Sequence, residues 1–192
     1  MPMLSSDRKK YASAHRVAMD AALLAAALML SYLEHLIPLG SLIAIPGFKP
    51  GFANIVTVLA FSLLSPWDAF AVSMLRVGIT GVLFGSLTTF LFSLGGACFA
   101  FLGLLLSRLC LRRCSYIGVS VLCAAMHNLG QLLVLAGMVF IPNRSTGAVL
   151  AVPACILPFL LPAAVVCGVL TGILLNLLAP RMEGRLQTWK NA

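Results

Sequence analysis

The sequence predicts an all-α integral membrane protein with six transmembrane helices, and three observations carry that expectation. Of 192 residues, 61% are hydrophobic and only 9% charged, against about 25% charged in an ordinary soluble domain. The apolar residues fall into long runs punctuated by proline, glycine or basic residues. Five acids and thirteen lysines or arginines are too few to clothe a water-soluble globule, and the basic residues gather at the ends of the runs.

A transmembrane helix needs about 20 apolar residues at about 1.5 Å rise each. On that measure the first helix covers residues 16–37 and stops at Pro38. Its basic start and apolar middle resemble a signal peptide, but Glu34-His35 follows the apolar run where small residues would mark cleavage. It therefore reads as a retained helix. LGSLIAIPGFKPG, residues 39–51, is a Pro/Gly-punctuated loop that dips toward the membrane. The second helix covers 51–64. Ser65-Pro66-Trp67-Asp68 reads as an N-cap with proline in the first turn of a third helix, 66–82. Helices two and three are short for full spans, which implies tilt or a thin, partly reentrant outer half.

The fourth helix is expected over 85–109, and the fifth over 115–141, broken by Pro142-Asn143-Arg144. The sixth covers 149–178, with Pro153, Pro158 and Pro162 bending it or delaying its start. The chain thus divides into an N-terminal segment, 1–15, a membrane domain, 16–178, and a C-terminal tail, 179–192. With six spans and a cytoplasmic N-terminus, ten basic residues fall on the inside: four at the start, three after helix four and three at the end. Only Lys49 and Arg144 fall outside, and Arg76 alone lies within a span. That asymmetry places both termini in the cytoplasm and explains the +8 charge as topology rather than as a nucleic-acid surface.

The six cysteines form no disulfide framework. Cys98, Cys123, Cys155 and Cys167 lie in apolar runs, where cysteine acts as a small hydrophobe. Cys110 and Cys114 form a lone C-x3-C without a second ligand pair. His15, His35 and His127 fall at different depths, so no metal site and no cofactor are expected.

Two patterns remain. Ala14, Ala18, Ala22 and Ala26 recur every four residues on one face of helix one, a smooth stripe where another backbone can approach. It suits ordinary packing within the chain or docking of a partner. Gly81 and Gly85 form a further small pair, which serves a turn. The polar residues are more telling. Arg76 lies about ten residues into helix three, near the midplane. His127 is about twelve residues, some 18 Å, into helix five, with Asn128 beside it and Gln131 one turn further on. Asn54 opens helix two on the outer side near Lys49, and Glu34 ends helix one. Two readings stand: helix-to-helix polar contacts in which Arg76 pairs with Glu34, or an outward pocket in which Lys49 and Arg76 meet an anionic or phosphate-bearing ligand.

The segments KPGFANIVTVLAFSLLSPWDAF, LRVGITGVLFGSLTTFLFSLGG and GVSVLCAAMHNLGQLLV resemble the Gx transporter family, also called heptaprenyl diphosphate synthase component I. The resemblance covers about residues 16–178 and is most specific at Asn54, Arg76, 84–90 and 127–131. One departure is Pro50 in Lys49-Pro50-Gly51, where the family usually carries leucine or valine. The family is similar to the S components of energy-coupling-factor (ECF) transporters, six-helix proteins that hold a vitamin-like ligand in an outward pocket. The resemblance implies a substrate-binding role for Lys49, Asn54, Arg76, His127, Asn128 and Gln131, with a neighbouring helix as the alternative partner of Asn128. It implies docking of a transmembrane scaffold subunit with two ATPases on Ala14, Ala18, Ala22 and Ala26.

The alternative is a membrane partner of a prenyl diphosphate synthase. Prenyl transfer needs clustered carboxylates to hold magnesium against a diphosphate. Here no two acids lie closer than thirteen residues in sequence, so the chain is not expected to be a catalytic subunit. It also lacks a G-x-x-x-x-G-K-[ST] nucleotide loop. A flavin, a quinone or isoprenoid precursor, and other vitamin-like compounds stay open as ligands.

Overall fold

The computed structural model describes residues 5–36, 51–110, 115–143 and 146–191. Among them there are six helices and no strand: α1 (Ser5–Leu36), α2 (Asn54–Leu63), α3 (Pro66–Phe84), α4 (Leu87–Cys110), α5 (Tyr116–Asn143) and α6 (Thr146–Asn191). Four stretches are long and apolar enough to cross a membrane: Ala14–Leu36, Leu87–Leu109, Tyr116–Phe140 and Ala154–Met182. The exterior is correspondingly apolar, with Val17, Met29, Val82, Leu87, Leu109 and Phe159 all exposed. Among the described residues, thirteen polar or charged side chains are buried instead. In water this inside-out distribution would be unstable; in lipid it is the expected one.

Most expected helix positions agree with the fold, and the differences have physical causes. α1 starts at Ser5 rather than near residue 16. α6 runs unbroken through Pro153, Pro158 and Pro162 to Asn191. In apolar surroundings a backbone that leaves the helix has no water to bond, so proline is tolerated inside it. α2 differs most. Its ten residues span about 15 Å, half of a hydrocarbon core of about 30 Å. It lies at the centre of the bundle and contacts each of the other helices, with Asn54, Val56, Thr57, Val58, Leu59 and Ala60 buried. The preceding loop, 39–50, lies outside the described residues.

Around α2 the order is α1, α3, α4, α5, α6, each packed on the next. Glycines set the closest approaches. A Cβ on Gly130 of α5 would lie 2.3 Å from the Gly95 carbonyl oxygen of α4. On α6, Gly168 and Gly172 face Val121 and Ile117 of α5, where a Cβ would fall 2.5 and 2.4 Å from their Cα atoms. Small residues four apart let backbones touch, which is how helices associate in lipid. The stripe continues along α6 as Leu160, Ala164, Leu175 and Ala179, all buried.

The turn from α2 to α3 forms as its sequence predicts. Ser65 is extended, its hydroxyl accepts from the Asp68 N–H at 3.2 Å, and Pro66 occupies the first turn. Arg16 of α1 closes on the same turn through Nε to Asp68 Oδ2 at 2.9 Å and Nη2 to Asp68 Oδ1 at 2.7 Å, and it donates to the Ser65 hydroxyl at 3.0 Å. Ser65→Ala is expected to lower stability by about 1 kcal/mol, the usual cost of losing an N-cap. The shift in thermal midpoint of the detergent-solubilised protein measures it.

Candidate functional site

The site is built at the start of α2. Gly51 has φ +82°, a conformation that glycine adopts without strain, and its carbonyl accepts from the Asn54 N–H at 3.0 Å. Glu34 at the end of α1 satisfies another free donor of the α2 start: Oε1 accepts from the Ala53 N–H at 3.2 Å. These two contacts orient Asn54 toward α5.

There Asn54 Nδ2 lies 2.9 Å from His127 Nδ1, and Gln131 Nε2 lies 2.5 Å from His127 Nε2. All three side chains are buried, Gln131 to 1% exposure. A neutral imidazole has one N–H and one accepting nitrogen, so it cannot accept from two amide NH2 groups at once. One amide must turn its oxygen to the ring. Asn54 is free to do so, since its Oδ1 has no other hydrogen-bond partner among the described residues. The ring is clamped from behind as well: a Cβ on Gly96 of α4 would fall 2.3 Å from His127 Cε1, and one on Gly51 would fall 3.0 Å from Cδ2. Glycine at both positions makes room for the imidazole.

Arg76 is buried on α3, 5% exposed. Its Nη1 donates to Ser31 Oγ on α1 at 3.3 Å. Nε and Nη2 have no hydrogen-bond partner among the described residues. Glu34, one turn beyond Ser31, is the carboxylate whose charge bears on Arg76. The arrangement therefore leaves a buried cation with two N–H edges available to a ligand oxygen, in surroundings where such groups are costly unless paired.

The remaining expected residues are distributed differently. Asn128 points to α6, donating to the Leu160 carbonyl at 3.0 Å, so it fastens α5 to α6 instead of joining His127 and Gln131. Lys49 lies outside the described residues. Ala14, Ala18, Ala22 and Ala26 are all exposed, and α1 packs only on α2 and α3 among the described helices. Sequence reasoning missed Gly51, Gly96 and Ser31. Gly51 stood in a recognisable Pro-Gly turn, but nothing local announced the other two. Among the described residues no group of three His, Cys, Asp or Glu is placed to hold a metal ion.

An all-helical membrane protein with a buried, partly unsatisfied arginine and a buried amide–imidazole cluster is the class that fold and site define. Within that class, the chain belongs to the heptaprenyl diphosphate synthase component I family, whose sequence profile matches residues 23–178. Neither a curated protein nor a solved structure matches it.

Proposed function

We propose that the chain is a membrane-embedded substrate-binding subunit, of the S-component kind, for uptake of a small anionic vitamin- or isoprenoid-related compound. Partner ATPases supply the energy, through a transmembrane scaffold subunit. The observation that carries this reading is Arg76: a buried guanidinium with two N–H groups lacking partners among the described residues is most simply completed by an anionic ligand. The neighbouring amides and imidazole supply hydrogen bonds in an apolar surround, as small-molecule sites require. In this reading six helices form the bundle, both termini face the cytoplasm of a bacterial cell, and the exposed alanine face of α1 receives the scaffold. The reading assigns no catalytic step to this chain.

A second reading comes from the family's description, component I of a heptaprenyl diphosphate synthase. Here the chain is the non-catalytic membrane partner of a prenyl synthase subunit. Co-purification from native membranes separates the two. Under the transport reading, a scaffold and ATPases accompany the wild type and are lost on Ala18→Leu. Because Ala18 is exposed, the thermal midpoint of that variant is expected to stay within the range of surface substitutions, about 0.5 kcal/mol. A prenyl synthase subunit without ATPases overturns the transport reading in favour of the second.

A further inference from the structure

At the other end of α2 from the His127 cluster lies a cavity of about 940 Å³, bounded by the end of α2, the end of α4, the start of α5 and Asn176 of α6. We propose that it is a second binding site, for the phosphate or diphosphate head of an amphiphile whose apolar tail lies along the bundle. The proposal does not depend on the transport reading.

Three features of the cavity converge on that chemistry. First, Arg108 lines it, with its guanidinium carbon 5.8 Å from the centre of the Phe61 ring. At that distance the ring attracts the cation without using its N–H groups, which can meet the paired oxygens of a phosphate. Among the described residues that line the cavity there is no carboxylate to compete for those groups. Second, α5 begins at its wall. Ser115 caps that helix, its hydroxyl accepting from the Gly118 N–H at 3.3 Å and its carbonyl from the Val119 N–H at 3.1 Å. Helix N-termini carry a partial positive charge that favours anions, and here one adds to the arginine.

Third, the lining is divided. Arg108, Tyr116 and Asn176 supply polar groups, while Val58, Leu64 and Leu104 form an apolar wall. The volume lies at the upper end of the range for small-molecule sites, larger than a bare phosphate requires. Leu109 lines the cavity and is also 75% exposed, which gives a tail an apolar path out along the bundle. A head at the end of the helices and a tail beside them matches an amphiphile seated at a membrane interface.

The test uses the full-length protein in detergent, with native mass spectrometry scoring bound adducts across a titration. The probes are a phosphatidylglycerol, farnesyl diphosphate and inorganic phosphate, each offered to wild type, Arg108→Ala and Arg181→Ala. Arg181 is exposed and does not line the cavity, so it controls for net charge. The apparent Kd for the tailed phosphates is expected to rise about tenfold in Arg108→Ala, as loss of a charge-assisted contact implies, and to hold in Arg181→Ala. Tighter retention of phosphatidylglycerol identifies a structural phospholipid; tighter retention of farnesyl diphosphate identifies a prenyl diphosphate. Equal losses in both variants, no loss in either, or inorganic phosphate binding as tightly as the tailed probes would overturn the proposal.

Discussion

Arg76→Leu is expected to abolish binding of the anionic ligand while leaving the protein close to the wild type in stability. The two effects separate because they arise from different states of the same side chain. Without ligand, Nε and Nη2 are buried and unpartnered among the described residues, and each such donor costs about 1–3 kcal/mol. Leucine removes that cost and fills much of the space, but it leaves the Ser31 hydroxyl without its donor and the buried Glu34 without the cation whose charge bears on it. The gain from removing unpaired donors and the loss of Glu34's counter-charge oppose each other, so the net change in stability is small. With ligand, the same two N–H groups would each form a charge-assisted hydrogen bond of about 1.5–3 kcal/mol. Their loss corresponds to a fall in affinity of roughly 100-fold or more. Arg76→Lys keeps the charge but not the planar fork, so it is expected to fall between. Mass spectrometry of small molecules retained on purification, beside a thermal unfolding curve, reads both effects. A variant that melts far below the wild type yet retains the molecule would make Arg76 a structural cation and remove the main support for a pocket.

How far the sequence disclosed this site depends on the range of each interaction. Ser65 and Pro66 announce their turn because an N-cap is a contact over three residues. His127 and Gln131 share a face because helical geometry places positions four apart together, and the structure joins them directly. Asn54 also stood out, yet its partner lies 73 residues away, and no local pattern specifies that pairing. Asn128 shows the same limit from the other side. Its polarity was plain in sequence, but whether it faced His127's group or α6 is fixed only by how α5 and α6 rotate against each other.

The central position of α2 was hidden for a related reason. An apolar run of about 14 residues reads equally as a tilted span or as a helix enclosed by others, and only the surrounding bundle decides. Small residues carry the least local signal of all. The alanine stripe of α1 was visible by its spacing, whereas Gly95, Gly96 and Gly130 acquire their meaning from what stands opposite them in space.

That dependence on surroundings yields a paired expectation on one helix. Gly130→Ala should destabilise the bundle severely, while Gly137→Ala, two turns further along α5, should stabilise it slightly. At Gly130 the new methyl would sit 2.3 Å from the Gly95 carbonyl oxygen and 2.7 Å from its carbon. Those are backbone atoms of a packed helix, which cannot rotate aside. The two helices must part by about 1 Å to reach ordinary contact, and overpacking of this kind costs about 1–3 kcal/mol or more. Gly96, next to Gly95, holds the His127 ring, so separating α4 from α5 also loosens the imidazole between its two amides. Ligand retention should therefore fall together with stability, unlike the separation expected at Arg76. At Gly137 a methyl meets no heavy atom within 4 Å. Alanine there gains about 0.4–1 kcal/mol by restricting the unfolded chain and favouring the helix. Thermal midpoints of the two variants, measured in the same detergent, should move in opposite directions. If both moved upward, α4 and α5 would not cross at Gly95 and Gly130, and the clamp around His127 would have to be built differently.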